Sequence, residues 1–209
     1  LSEQGMPQDV ANIRREHIEA FIVALLERWK PATANNRYRG VQAFFRWAVD
    51  EGEVKESPMA RMKPPRVPED PPDVLRDDEL KALLATCDKG QDQDSRRDAA
   101  IIRVFIDTGA RLAEVANLRW NPDDPTQHDV DLKRGVLRVV GKGRRERVLP
   151  LGRKSVRALD RYLRGRLKHR EAELPWLWLG IKGRLTDTGI RQVVIRRGRA
   201  ADLGRIHPH

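Results

Sequence analysis

Residues 108–120 read Thr-Gly-Ala-Arg-Leu-Ala-Glu-Val-Ala-Asn-Leu-Arg-Trp. Arg111 and Glu114 stand three apart, so on a helix they share a face and the carboxylate can hold the guanidinium in place. A planar guanidinium held that way can grip two oxygens of one anion. Free N–H groups at a helix start add to the attraction. Gly109 is what lets the chain reverse just before Arg111, because so tight a turn calls for positive φ. A second constellation is Gly141-Lys-Gly143, followed at once by Arg144, Arg145 and Arg147. Its glycines free the backbone to approach something closely, with Lys142 at the tip. Taken singly, Arg-x-x-Glu is a surface ion pair and a turn lysine is solvated. The rest of the chain has to decide between these readings.

The bulk properties favour an anionic partner. Among 209 residues there are 41 Lys+Arg against 31 Asp+Glu, a net charge of +10. So large an excess points first to a polyanion, with a merely solvated basic surface as the alternative. Cys87 is the single cysteine, so no disulfide forms within the chain, and it falls on the apolar face of a helix. No apolar run approaches a membrane span, and no Cys/His/Asp cluster has metal-ligand spacing. The chain opens Leu-Ser-Glu-Gln-Gly, without Met and without a signal peptide. That reads as a fragment of a protein of the cytoplasm, associated with the nucleoid.

The elements that would position these residues are mostly helical. Ile18, Phe21, Ile22, Leu25, Leu26 and Trp29 follow helical spacing over 16–29, with Pro31 closing the helix. Thr33 is the expected N-cap of a second helix over 34–50, whose buried stripe is Tyr38, Val41, Phe45, Ala48 and Val49. Its other face carries Asn35, Asn36, Arg37, Arg39 and Arg46, donors that suit phosphates and base edges as well as solvent. Residues 57–72 hold six of the thirteen prolines. This segment is expected to be extended and stiff, an interdomain linker with Arg61, Lys63 and Arg66 along a phosphate backbone. Beyond it the pattern gives a helix to Cys87, and then one over 95–107 with Ala99, Ile102, Phe105 and Ile106 inward. The Thr-Gly-Ala-Arg turn and a helix over 112–119 follow. Strand signals over 128–132, 136–140 and 146–151 make a small antiparallel sheet with the Gly-Lys-Gly turn as a hairpin. A basic helix over 154–170 (Val156, Leu159, Tyr162, Leu163, Leu167), an extended Trp176–Leu179 and a last helix capped by Thr186 complete the chain. The fold class is mainly α with a small antiparallel β-sheet, α+β.

Three segments carry a resemblance. "TGARLAEVANLRW", "GVLRVVGKGRRERVLPLG" and the terminal "HPH", in this order behind a basic helical segment, resemble the tyrosine recombinase (phage integrase) family. "ATANNRYRGVQAFFRWAVDEG" resembles a helix of that family's core-binding domain. The resemblance implies a helical SAM-like core-binding domain over 1–57, a Pro-rich linker over 58–72 and a catalytic domain over 73–209. It implies site-specific recombination of double-stranded DNA through a 3′-phosphotyrosyl intermediate, without metal or cofactor, by a homo-tetramer on DNA when full length. Arg111 matches the first catalytic arginine, Lys142 the hairpin lysine and His209 the histidine of the His-x-x-Arg-His box. Glu114 supports Arg111, and Thr33, Arg144 and Arg145 join the DNA-binding residues already named. Lys142 would protonate the leaving 5′-oxygen, its pKa lowered by the neighbouring arginines. His209 would hydrogen-bond the phosphate or take the tyrosine proton.

The chain stops at His209, ahead of the second arginine, the later histidine or tryptophan and the nucleophilic tyrosine of the family. Tyr38 and Tyr162, its only tyrosines, lie on buried stripes and do not occupy the nucleophile position. As given, the chain is expected not to cleave DNA by itself. Two other readings stay open: a non-catalytic DNA-binding protein on the same scaffold, and a type IB topoisomerase, against which the small N-terminal domain argues.

Overall fold

The computed structural model describes residues 7–69, 74–88, 92–121, 123–141, 143, 145–204 and 206–208. The chain divides into two compact units, Leu1–Asp73 and Val74–His209.

In the first unit, a 3-10 turn at Val10–Asn12 precedes helices α1 (Arg15–Arg28) and α2 (Pro31–Asp50). Ile18 and Ile22 of α1 are buried against Tyr38 and Phe45 of α2. The expected stripe of α1 is wider than the observed one, since Leu26 and Trp29 are exposed. Thr33 is not the cap of α2. The helix starts two residues earlier, at Pro31, and Lys30 occupies the cap position. Proline suits a helix's first residue because its φ is already helical and the N–H it lacks would have no partner there. Pro31 therefore opens α2 rather than closing α1.

The segment after α2 is partly folded onto this unit. The Met59 side chain is buried in the α1–α2 core. The Tyr38 hydroxyl donates to the Met62 carbonyl at 2.8 Å, and Asn35 Nδ2 donates to the Pro65 carbonyl at 2.8 Å. Residues 57–65 thus strap across α2 and extend the helical unit beyond 57. Proline richness forbids helix but does not forbid packing, and Met59 gains by leaving water.

The second unit holds α3 (Asp77–Asp88), α4 (Gln93–Thr108), α5 (Leu112–Ala116), β1 (Val130–Asp131), β2 (Val136–Val140), β3 (Glu146–Pro150), α6 (Arg153–Arg166), β4 (Leu179–Gly180), β5 (Gly183–Arg184) and α7 (Asp187–Ala200). The first three strands form an antiparallel sheet in the order β1-β2-β3, with Leu137 opposite Leu149 and Val139 opposite Arg147. Strands β4 and β5 make a separate two-stranded hairpin. The core joins Ile101 and Val104 of α4, Val115 of α5, Leu137 and Val139 of β2, Leu159 and Tyr162 of α6, Trp178, and Ile190 of α7. Cys87 is buried in a smaller cluster with Leu83 and Ile102. The α+β class expected from the strand and helix patterns is what forms.

Three helix details differ from the spacing analysis. Helix α4 buries Ser95, Arg97 and Asp98 as well as apolar residues, and leaves Ile106 exposed. It is enclosed by α3, α6 and α7, so one apolar stripe underestimates its buried surface. Helix α5 ends at Ala116 because the next residues pair with another segment. Leu177 N donates to the Leu118 carbonyl at 2.9 Å, and Trp120 N to the Pro175 carbonyl at 3.1 Å. Helix α6 stops at Arg166, leaving Leu167 exposed. The fully buried Arg166 guanidinium turns onto the carbonyls of Ala172, Leu174, Trp176 and Leu177, which draws the chain out of the helix. Among the described residues, no helix is long and apolar enough to cross a membrane.

Candidate active site

The turn after α4 is built as its residues require. Gly109 sits in the left-handed region at φ 56° and its N–H bonds to the Phe105 carbonyl, closing α4. Thr108 Oγ1 accepts from Ala110 N at 3.2 Å and firms the reversal. Arg111 then falls at the N-cap of α5. Its own N–H donates to Glu114 Oε2 at 2.8 Å, the half of a capping box that a glutamate at the third helical position supplies.

Glu114 is the centre of the site. Its side chain is only 4% exposed, and it holds two guanidinium groups. Arg111 Nη1 donates to Oε1 at 3.1 Å. Arg147 Nη2, from β3, donates to Oε2 at 2.7 Å. A buried carboxylate without such partners would be strongly disfavoured, so both contacts offset the cost of burying it. The Arg111 side chain is 62% exposed. Its contact with Glu114 uses one terminal nitrogen, and the outer part of the fork faces solvent. The cluster therefore presents an oriented cation, the group that a phosphate with growing negative charge calls for.

The β2–β3 hairpin lies directly against this pair. Gly141 N donates to the Arg145 carbonyl at 2.9 Å, closing the turn. A Cβ on Gly141 would stand 3.3 Å from Glu114 Oε1 and 3.9 Å from Arg111 Nη1. The glycine thus serves close approach to the Glu114 carboxylate rather than an unusual φ.

Of the residues picked from sequence, Arg111 and Glu114 are brought together as expected. Lys142, Arg144 and His209 lie outside the described residues. Arg145 is exposed on the hairpin. On α2, Asn36, Arg37, Arg39 and Arg46 are exposed. Asn35 instead spends its amide on the strap, and Thr33 is half-buried in the first turn of the helix. Arg61, Lys63 and Arg66 are exposed along the strap. Arg147 is the site residue that sequence reasoning missed. In sequence it stands out only as one of a basic run, and its alternation with Val148 misleads, since Val148 is exposed while Arg147 shares its face of β3 with Leu149, which packs on the core.

Neither tyrosine can attack a phosphate from its place here. Tyr162 donates to the Leu177 carbonyl and accepts from Leu179 N, both at 2.9 Å, and burial pushes its phenol up to about 12. Tyr38 is buried, which raises its phenol too, and its hydroxyl is bonded to Met62. No group of three or more metal-ligating side chains occurs among the described residues.

Residues 73–209 match the phage integrase family. The tyrosine recombinase XerC of Corynebacterium efficiens is 29% identical over 203 residues, covering 96% of this chain and 63% of that protein. The chain thus spans less than two thirds of that relative. By fold it is similar to a lambda integrase dimer bound to a COC′ core site, with 17% identity, 99% of this chain and 69% of that one covered, and a TM-score of 0.72. A lambda integrase tetramer bound to a Holliday junction is similar as well, with 17% identity, coverage of 100% and 59%, and a TM-score of 0.71. The family match takes in the Arg111–Glu114 turn, the hairpin docked on it and the helices that hold both, so the chain belongs to the phage integrase family of tyrosine recombinases.

Proposed function

We propose that the chain is the DNA-gripping and charge-stabilising part of a site-specific DNA recombinase. The observation that carries this is the half-exposed Arg111 fork held by a buried glutamate beside a glycine-shouldered hairpin. The substrate is double-stranded DNA. A tyrosine oxygen attacks the scissile phosphorus, the P–O5′ bond breaks, and a 3′-phosphotyrosyl link and a 5′-hydroxyl result. The phosphoester bond energy is conserved in that link, so the reverse attack by a 5′-hydroxyl rejoins DNA without ATP. Arg111 holds the non-bridging oxygens as charge accumulates on them. Lys142, next in the chain after Gly141, supplies the proton to the leaving 5′-oxygen, and His209 hydrogen-bonds the phosphate or takes the proton that the attacking tyrosine gives up.

In this reading 1–57, with the strap that folds onto it, is the core-binding domain, the rest of 58–72 leads to the catalytic domain, and 73–209 is that domain. Asn36, Arg37, Arg39 and Arg46 of α2, with Arg61, Lys63, Arg66, Arg144 and Arg145, face the duplex. Asn35 acts by holding the strap on α2 through the Pro65 carbonyl. The working assembly is a homo-tetramer on DNA, in the cytoplasm at the nucleoid. The net charge of +10 supports a partner with many phosphates.

The test has two arms. Duplex affinity of this chain should fall steeply between about 50 and 200 mM salt, as counterion release demands. In the recombinase that carries this chain together with its tyrosine segment, a nicked duplex should be captured covalently, and Arg111→Ala should lower that rate by ~10²–10³. Salt-dependent binding with no covalent capture would instead favour a non-catalytic DNA-binding protein.

A further inference from the structure

The structure assigns Arg147 of β3 as a positioning residue for Arg111, acting through Glu114. This rests on the reading of Arg111 as the cation that holds the phosphate. Three observations lead to it.

The first is how the carboxylate is divided. Arg111 takes Oε1 and Arg147 takes Oε2, so each oxygen of Glu114 has its own guanidinium. With Oε2 also bonded to the Arg111 backbone N–H, the carboxylate plane is fixed from both sides. The Arg111 fork inherits that orientation. Without Arg147 the carboxylate could rotate and take the fork with it, and misplacement of about 1 Å is costly to a reaction of this kind.

The second is charge. One buried carboxylate paired with one arginine makes a neutral unit with little pull on a phosphate. One carboxylate shared by two arginines leaves a net charge of about +1 at the site, in surroundings that screen it less than bulk water. Arg147 therefore keeps Arg111 effective as a cation even though Arg111 is ion-paired.

The third is connectivity. Arg147 sits on the strand that follows the Gly-Lys-Gly turn, and Gly141 at the near end of that turn packs on Glu114 and Arg111. The contact of β3 with Glu114 spans 33 residues and ties the hairpin to the start of α5. Arg111 and the hairpin are thereby held in one register, as two groups serving one phosphate must be.

The experiment uses the full-length recombinase and a nicked duplex. It measures the single-turnover rate of covalent capture at saturating DNA, the duplex Kd with its salt dependence, and thermal unfolding. Arg147→Ala should slow capture about 10- to 100-fold, with the duplex Kd unchanged. Arg147→Lys, which still offers Glu114 a charged donor, should recover most of the rate. Added to Arg111→Ala, Arg147→Ala should cost clearly less than it does alone, because most of its effect runs through the Arg111–Glu114 pair. A weaker Kd with a shallower salt slope would make Arg147 a direct phosphate contact and overturn the inference, as would a full further loss on top of Arg111→Ala. If Arg147→Ala unfolds, Arg147→Gln replaces it and the same outcomes decide. Unimpaired capture by Arg111→Ala is a separate result: it overturns the reading of Arg111 and this inference with it.

Discussion

Two buried carboxylates organise the second unit, and they are used in opposite ways. Asp98, with no side-chain exposure, gathers Arg97, Arg196 and Arg197. Glu114 gathers Arg111 and Arg147. Around Asp98 most of the donor capacity is spent. Arg97 also bonds Asp94 and the Leu179 carbonyl, and Arg197 bonds the Thr86 carbonyl and Ser95. That cluster joins α4 to α7 and to the β4 strand, and only Arg196 reaches far into solvent. Around Glu114 one arginine anchors the carboxylate while the other keeps its outer face open. What separates the two clusters is therefore how many guanidinium donors still face outward, since both have a buried acid at the centre.

The largest effect that would break this comparison lies at Asp98. Asp98→Ala removes the fully buried acid shared by Arg97, Arg196 and Arg197, leaving Arg97 only the half-exposed Asp94, and should cost ~3–5 kcal/mol of stability, as loss of one partner of a buried pair does. Urea unfolding measures it. A cost below about 1 kcal/mol, the range of exposed pairs, would mean that the cluster does not hold α4 to α7.

A smaller effect sharpens the other side. Gly109→Ala meets nothing within 4 Å, so only the left-handed backbone resists it. The expected cost is ~1–2 kcal/mol. Capture of DNA should fall further than stability does, because the same turn delivers Arg111. Loss of stability with an unchanged rate in the folded fraction would show that Arg111 does not depend on the turn.

The smallest effect concerns Tyr162, whose hydroxyl both donates and accepts inside the core, much as the Asp98 cluster spends its donors there. Tyr162→Phe should cost about 1 kcal/mol per net hydrogen bond lost. Its pH dependence has a definite sign. The phenol is raised in the folded protein to about 12 from an ordinary value of about 10. The stability it contributes is fully present below about pH 10 and is lost as pH rises through about 12. Unfolding measured from neutral to alkaline pH should show that loss in the wild type and a shallower one in Tyr162→Phe. Equal alkaline profiles would place the titration elsewhere.

How much of this is legible in the sequence follows from the range of each contact. Arg111 and Glu114 are three residues apart on one helix turn, and their pairing is readable. Gly109 is readable too, because a tight reversal restricts backbone choice locally. Arg147 is not, since its partner lies 33 residues away and only the strand register brings them together. The Asp98 cluster escapes because helical periodicity weighs apolar residues, and a buried Arg–Asp pair looks polar in sequence. Thr33 is misplaced when a good capping side chain is preferred over the stronger constraint of Pro31. The composition of the Pro-rich segment says nothing of Met59 finding the α1–α2 core or of Tyr38 finding the Met62 carbonyl.

The Glu114 cluster acts on the phosphate, in this view, while the Asp98 cluster only supports the fold. The most direct measurement is the single-turnover capture rate per folded molecule, at saturating nicked duplex, for Arg111→Ala beside Asp98→Asn. The expected result is a fall of ~10²–10³ for Arg111→Ala and an unchanged rate for Asp98→Asn. Comparable losses in the two, or a normal rate in Arg111→Ala, would contradict it.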